Sequence, residues 1–202
     1  MVTSTRRLLI ALAAIGLVLG LAASPLFAAT AQGDKELSAA FSTDSSTLSS
    51  SGTTINQTTT TIFGSFGYFL DKHQQVGIAE QYTQVKTSFS GSTSETDLTF
   101  TQGFYKYHFP LESNPALVPW VGGYLGFMSI KETSGGTTSS GSGNSYGPAA
   151  GIKYFVDENT SVNFEYQIIK SSYSIDFGGG SQTVDETDNT LLIGLSVYFG
   201  KK

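Results

Sequence analysis

The sequence predicts an all-β chain folded as an eight-stranded antiparallel up-and-down transmembrane β-barrel. Three observations lead there. Apolar and polar residues alternate over runs of about ten residues, with no helical period of useful length after residue 31. The connections between the runs alternate between short and long. Charged residues, only 13% of the 202 where about 25% is usual in soluble domains, stay off the apolar faces.

Residues 1–31 form a targeting segment to be set apart from the fold. Arg6 and Arg7 make a positive start, Leu8 to Leu21 an apolar stretch, and Ser24-Pro25 breaks it before the small-residue site Ala29-Thr30-Ala31. Cleavage is expected after Ala31, leaving residues 32–202 as a single barrel domain. The competing readings are a retained membrane helix and a twin-arginine signal, but the proline and the cleavage site favour an ordinary secretory signal. Removal of this segment takes away both arginines and leaves nine Lys against sixteen Asp plus Glu, a net charge of −7. An acidic chain lacks the basic face that nucleic acid requires. Without cysteine, disulfides, zinc thiolates and thiol catalysis are excluded.

The predicted strands are 35–43, 58–70, 76–88, 97–109, 120–132, 146–156, 161–170 and 189–199. The clearest is 161–170, where Val162, Phe164, Tyr166 and Ile168 alternate with Asn163, Glu165 and Gln167. In 189–199, Leu191, Ile193, Leu195, Val197 and Phe199 share one face. The short connections are 71–75, 110–119 and 157–160; the long ones are 44–57, 89–96, 133–145 and 171–188. Ser/Thr/Gly-rich long loops belong in solvent, so the layout is that of an outer-membrane barrel with short periplasmic turns and an even strand number. In lipid a sheet must close to pair its backbone, and eight strands suffice. A tilted membrane strand needs about 9 to 11 residues, the length found here.

Charge assigns the faces, because a lysine facing lipid at the midplane costs about 2 to 4 kcal/mol. Lys106, Lys153 and Glu165 are therefore expected in the lumen, as is His108. Glu80 shares the parity of Val76, Ile78 and Tyr82, so it requires a bulge or a luminal position; Lys86 is grouped with it. Pro148 lies inside a strand and calls for a place near the extracellular rim or at a bulge. Tyr68, Tyr105, Tyr107, Phe109, Trp120, Tyr154 and Phe199 fall near the short turns or the C-terminus and are expected to form a periplasmic aromatic girdle.

The segment Gly67-Tyr68-Phe69-Leu70-Asp71 followed by Val76-Gly77-Ile78, its echo in Tyr154-Phe155-Val156-Asp157 and Val162, and Val118-Pro119-Trp120-Val121-Gly122-Gly123 resemble the small bacterial outer-membrane β-barrel family that groups the OmpX, OmpW and opacity-type proteins, often labelled the porin family. The C-terminal Gly194-Leu195-Ser196-Val197-Tyr198-Phe199 is similar to the signal read by the barrel-insertion machinery, although Gly200-Lys201-Lys202 follows the aromatic. The resemblance implies an outer-membrane location, with membrane lipid and the barrel-assembly machinery as partners and an extracellular ligand or surface met by the long loops.

Chemistry is sparse. His73 lies in a predicted turn and His108 near a strand end, neither with a nucleophile at a telling spacing, so no catalytic residue, cofactor or metal is expected. Asp176, Asp185, Glu186 and Asp188 match no calcium-loop spacing, and the glycines at 135, 136, 141 and 143 match no phosphate-binding pattern. The luminal charges suit either a plugged barrel in a structural or interaction role or a narrow porin or transporter of small solutes or hydrophobic molecules. Heat-modifiable migration tests the barrel: unheated protein should run ahead of boiled protein on a detergent gel, whereas identical mobility with recovery in the soluble periplasm would exclude it.

Overall fold

A computed structural model describes residues 30–50, 53–89, 92–176 and 180–200; the predicted targeting segment lies outside them except for Thr30 and Ala31. The strands are β1 (Lys35–Ser50), β2 (Thr53–Phe69), β3 (Gln74–Phe89), β4 (Ser92–His108), β5 (Leu117–Ser134), β6 (Thr137–Asp157), β7 (Thr160–Asp176) and β8 (Ser181–Phe199). Each pairs with its sequence neighbour, and β8 returns to β1 to close the barrel.

All eight predicted strands are present, but they are longer than expected. The segments read as loops, 44–57, 89–96, 133–145 and 171–188, are largely strand, carrying the hairpins upward to Ser50/Thr53, Phe89/Ser92, Ser134/Thr137 and Asp176/Ser181. Serine and threonine are compatible with a solvated ladder as well as with a loop. Side chains reinforce the extensions: Thr47 donates to Asn56 at 2.9 Å, and Lys86 lies 3.5 Å from Glu95. At the β5–β6 tip, Gly135 and Gly136 hold φ of 57° and 82°, the left-handed pair of a tight hairpin turn.

The opposite end is tied by side-chain caps. Asp71 Oδ1 accepts from the backbone N–H groups of His73 and Gln74, both at 2.7 Å, and these bonds hold its carboxyl below the usual range. Asp157 Oδ1 likewise accepts from the Asn159 N–H at 2.7 Å. Such aspartates stabilise turns by imitating a backbone bond.

Outward positions of the lower and middle barrel form an apolar belt, with Leu37, Phe41, Ile62, Ile78, Leu125, Phe127, Ile193 and Leu195 all exposed. So much exposed apolar surface marks a face built for another apolar phase. Its upper edge follows Thr43, Thr60, Gln84, Ser129, Lys170 and Asn189, where outward residues turn polar.

Two local expectations need correction. Glu80 is neither luminal nor at a bulge: β3 keeps regular register through Glu80↔Gly64 and Glu80↔Thr101, so parity carries its side chain outward, where Thr101 donates to it at 2.8 Å. Pro148 is not at the rim. It sits opposite Gly123 on β5, and the ladder to β7 lapses at Gly147-Pro148 before resuming in the same register at Ala149↔Gln167. Proline has no N–H to contribute, and the wall tolerates a gap there without a bulge; the irregularity of β6 falls instead at Phe155/Asp157.

Gly151 shows how tightly the interior is filled. A Cβ added there would come 2.4 Å from the Phe164 carbonyl oxygen and 2.7 Å from the Trp120 ring, so the missing side chain is what seats Trp120 inside the barrel. Gly151→Val should lower stability by about 1 to 3 kcal/mol through overpacking, read as an earlier urea-unfolding midpoint in lipid vesicles.

Candidate functional site

The interior is layered. At the periplasmic end Phe69, Val118, Phe155 and Tyr198 form a buried apolar cluster. Above it lie two ion pairs. Lys153 of β6 donates to Glu36 of β1, which also accepts from Gln75 at 2.7 Å and Ser196 at 2.6 Å. Lys106 of β4 lies 3.1 Å from Glu165 of β7, which accepts from Tyr124 and, at 2.7 Å, from Gln167. The Lys106 ammonium rests 4.1 Å from the centre of the Trp120 ring, and that of Lys153 lies 5.5 Å from the centre of the Tyr198 ring. Each charge therefore meets an opposite charge, and the carboxylates gain further donors, which is what makes burial of such pairs tolerable.

The space between the pairs is a cavity of about 10 Å³ bordered by Glu36, Lys106, Trp120, Lys153 and Glu165, room for about one water. A second apolar layer, including Phe63, Phe100, Tyr124, Met128 and Leu192, covers it. Above that layer the barrel opens into a vestibule of about 1390 Å³.

The vestibule reaches the wall at one seam. β1 and β8 pair only from Lys35↔Phe199 to Phe41↔Ile193, although β1 runs on to Ser50 and β8 begins at Ser181. Phe41, Tyr166, Leu191 and Ile193, whose side chains belong to the outer face, therefore border the vestibule along with its inner residues.

Among the sequence-derived candidates, Lys106, Lys153 and Glu165 lie inside the barrel and are brought together; Glu80 and Lys86 lie outside. Tyr68, Tyr105, Tyr107, Phe109 and Phe199 are exposed on the outer wall near the periplasmic end. Trp120 and Tyr154 depart from the girdle. The outward positions of β5 are Val121, Leu125 and Phe127, so Trp120 points inward and is 2% exposed. Tyr154 is buried beside the β4–β5 connection, whose Ala116 carbonyl accepts from the Phe155 N–H at 2.8 Å. His108 is buried and bonded to Gln75 at 3.1 Å; His73 stacks on Tyr107 with ring centres 5.6 Å apart. Sequence reasoning missed Glu36, the partner of Lys153. The signal was present, since Glu36 is opposite in parity to Leu37, Ala39 and Phe41 and so belongs inside with the lysines.

A closed eight-stranded barrel, belted outside and charged within, defines a small integral outer-membrane protein. The chain belongs to the outer membrane protein beta-barrel domain family, whose model matches residues 13–199. No curated protein sequence matches it. Among solved structures, Neisserial surface protein A is similar at a TM-score of 0.60 and 18% identity, over 84% of this chain and 99% of that one. OprG from Pseudomonas aeruginosa is similar at 0.53 and 17%, over 87% and 100%. The outer membrane protein AlkL is similar at 0.53 and 17%, over 88% and 94%. These likenesses bear on fold, and family and fold together place the protein in the bacterial outer membrane.

Lys153→Met should destabilise the barrel by about 3 to 5 kcal/mol, because it strands a buried carboxylate at Glu36. The double variant Glu36→Gln/Lys153→Met should recover most of that loss, as a double-mutant cycle of urea unfolding in vesicles would show.

Proposed function

We propose that this protein is a plugged, non-conducting and non-catalytic barrel that anchors an extracellular cup in the outer membrane, in a structural or interaction role. The observation that carries this reading is the stack of layers: an apolar cluster, two ion pairs bordering a cavity of about 10 Å³, and a second apolar layer. An eight-stranded interior is just wide enough for side chains to fill, and a continuous water path requires these layers to part. Both histidines serve structural contacts, His108 within the plug and His73 at the periplasmic turn. On this reading the partners are membrane lipid, the assembly machinery and whatever the extended hairpins and vestibule meet outside.

One observation favours a second reading, a transporter that releases small hydrophobic molecules sideways: β1 and β8 part above Phe41↔Ile193 at the upper edge of the apolar belt. Planar-bilayer recording and dye uptake weigh the two. Refolded protein should give no steady conductance, and cells carrying it should take up a small apolar dye no faster than cells without it. Steady ion-selective current would overturn the plug, and accelerated dye uptake would favour the lateral route.

A further inference from the structure

One junction in the wall is left unzipped. Among the described residues β2–β3, β4–β5 and β6–β7 stay paired well above the apolar belt, up to Ile55↔Phe89, Ser94↔Ser134 and Gly141↔Ile175. β1 and β8 stop at Phe41↔Ile193. Each nevertheless runs on against its hairpin partner, β1 to Ser50↔Thr53 and β8 back to Asp176↔Ser181. From the upper edge of the belt outward, residues 42–50 of β1 and 181–192 of β8 thus pair in the sheet on one side only. At 3.3 Å per residue the stretch on β1 alone spans about 30 Å of ladder.

A second observation, independent of the gap, is that neither edge is blunted. Exposed strands are kept from pairing by proline, lysine or a bulge. Residues 42–50 and 181–192 contain no proline and no lysine, and both strands hold regular register with their hairpin partners throughout. A bare, regular edge is a template for one more strand.

Charge selects the guest. β8 carries Asp185, Glu186 and Asp188 and β1 carries Asp44, with no lysine on β8 and none on β1 beyond Lys35. The lysines of the upper hairpins, Lys86, Lys131 and Lys170, stand on β3, β5 and β7. Glu186 and Asp188 are two residues apart, so they share one face of β8, and both border the vestibule. Tyr173 donates to Glu186 from β7 at 3.1 Å. Opposite charges directly across a ladder stabilise it and like charges oppose it. A second copy of this chain is therefore the poorer guest, because its own edges bring more carboxylates.

We propose that the free edge of β8 takes up an extended segment of a basic extracellular protein as an added strand, with lysine or arginine at alternate positions facing Glu186 and Asp188. Backbone bonds along 181–192 supply the hold, and the alternating cations supply the selection. The site names a partner class for the interaction role proposed above and rests on that role only in taking its partner from outside the cell.

The probe is a nine-residue peptide alternating threonine with lysine. Its controls are the same peptide with glutamate in place of lysine, and the lysine peptide N-methylated at every amide, which keeps the charge and loses the backbone donors. Binding is measured calorimetrically to refolded protein in zwitterionic micelles, with protein-free micelles subtracted, and amide hydrogen exchange is followed on the same sample. The lysine peptide should bind about tenfold or more tightly than either control and slow exchange of seam-side amides within 181–192. Glu186→Gln/Asp188→Asn should weaken it by about tenfold, the effect of two cross-strand ion pairs, with heat-modifiable migration intact. Glu80→Gln on the outer wall should change nothing. Equal binding of the methylated peptide would reduce the contact to charge and overturn the added strand, as would equal binding of the glutamate peptide or unchanged exchange within 181–192. If the double variant fails to fold, the three peptides on the unaltered protein decide. Conductance separates the claims: current with peptide binding retained sinks the plug, and silence without binding sinks this site.

Discussion

The backbone cannot leave a polar group unpaired in lipid, and the remaining features of this molecule follow from that constraint. An open sheet edge in hydrocarbon costs several kcal/mol for each unsatisfied group, so β1 must find β8. It does so through the band that meets lipid, from Lys35↔Phe199 to Phe41↔Ile193. Where the outer face turns polar the requirement lapses, and there the two strands separate. The seam therefore marks how far up the wall the demand for closure reaches.

Closure creates a second demand. A ring of eight strands has an interior that must be filled, and alternation sends every second residue into it. The chain fills the lower half with aromatics and two lysine–glutamate pairs, one carboxylate held by Gln75 and Ser196 and the other by Tyr124 and Gln167. In the upper half small residues such as Ser42, Thr59 and Thr61 line the wall and leave a vestibule. The difference between plug and cup is thus a difference in side-chain volume along the same strands.

Much of this was legible in the residues. The strand number, the order of neighbours and the inward position of Lys106 and Lys153 follow from a period of two and the cost of charge in lipid. The errors have local causes. Parity and the cost of a carboxylate in the apolar face predict a bulge or a luminal position for Glu80, but Thr101 on the next strand supplies a donor to it on the outer wall. Trp120 was placed by height alone, without the parity of Val121 and Leu125. The loops were drawn too long because serine and threonine suit a solvated hairpin and a loop alike, and only the pairing of Thr47 with Asn56 or of Lys86 with Glu95 separates the two.

By itself the sequence determined that the chain closes into an eight-stranded barrel in the outer membrane, because periodicity, strand length and charge placement act locally and leave a closed ring as the arrangement that gives every strand two neighbours. Only the tertiary structure decided which carboxylate each buried lysine meets, that Trp120 lies against Lys106, and that β1 and β8 part above Phe41. Those are relations across the barrel between residues far apart in sequence. They depend on the stagger of the strands around the ring, and a period of two carries no information about stagger.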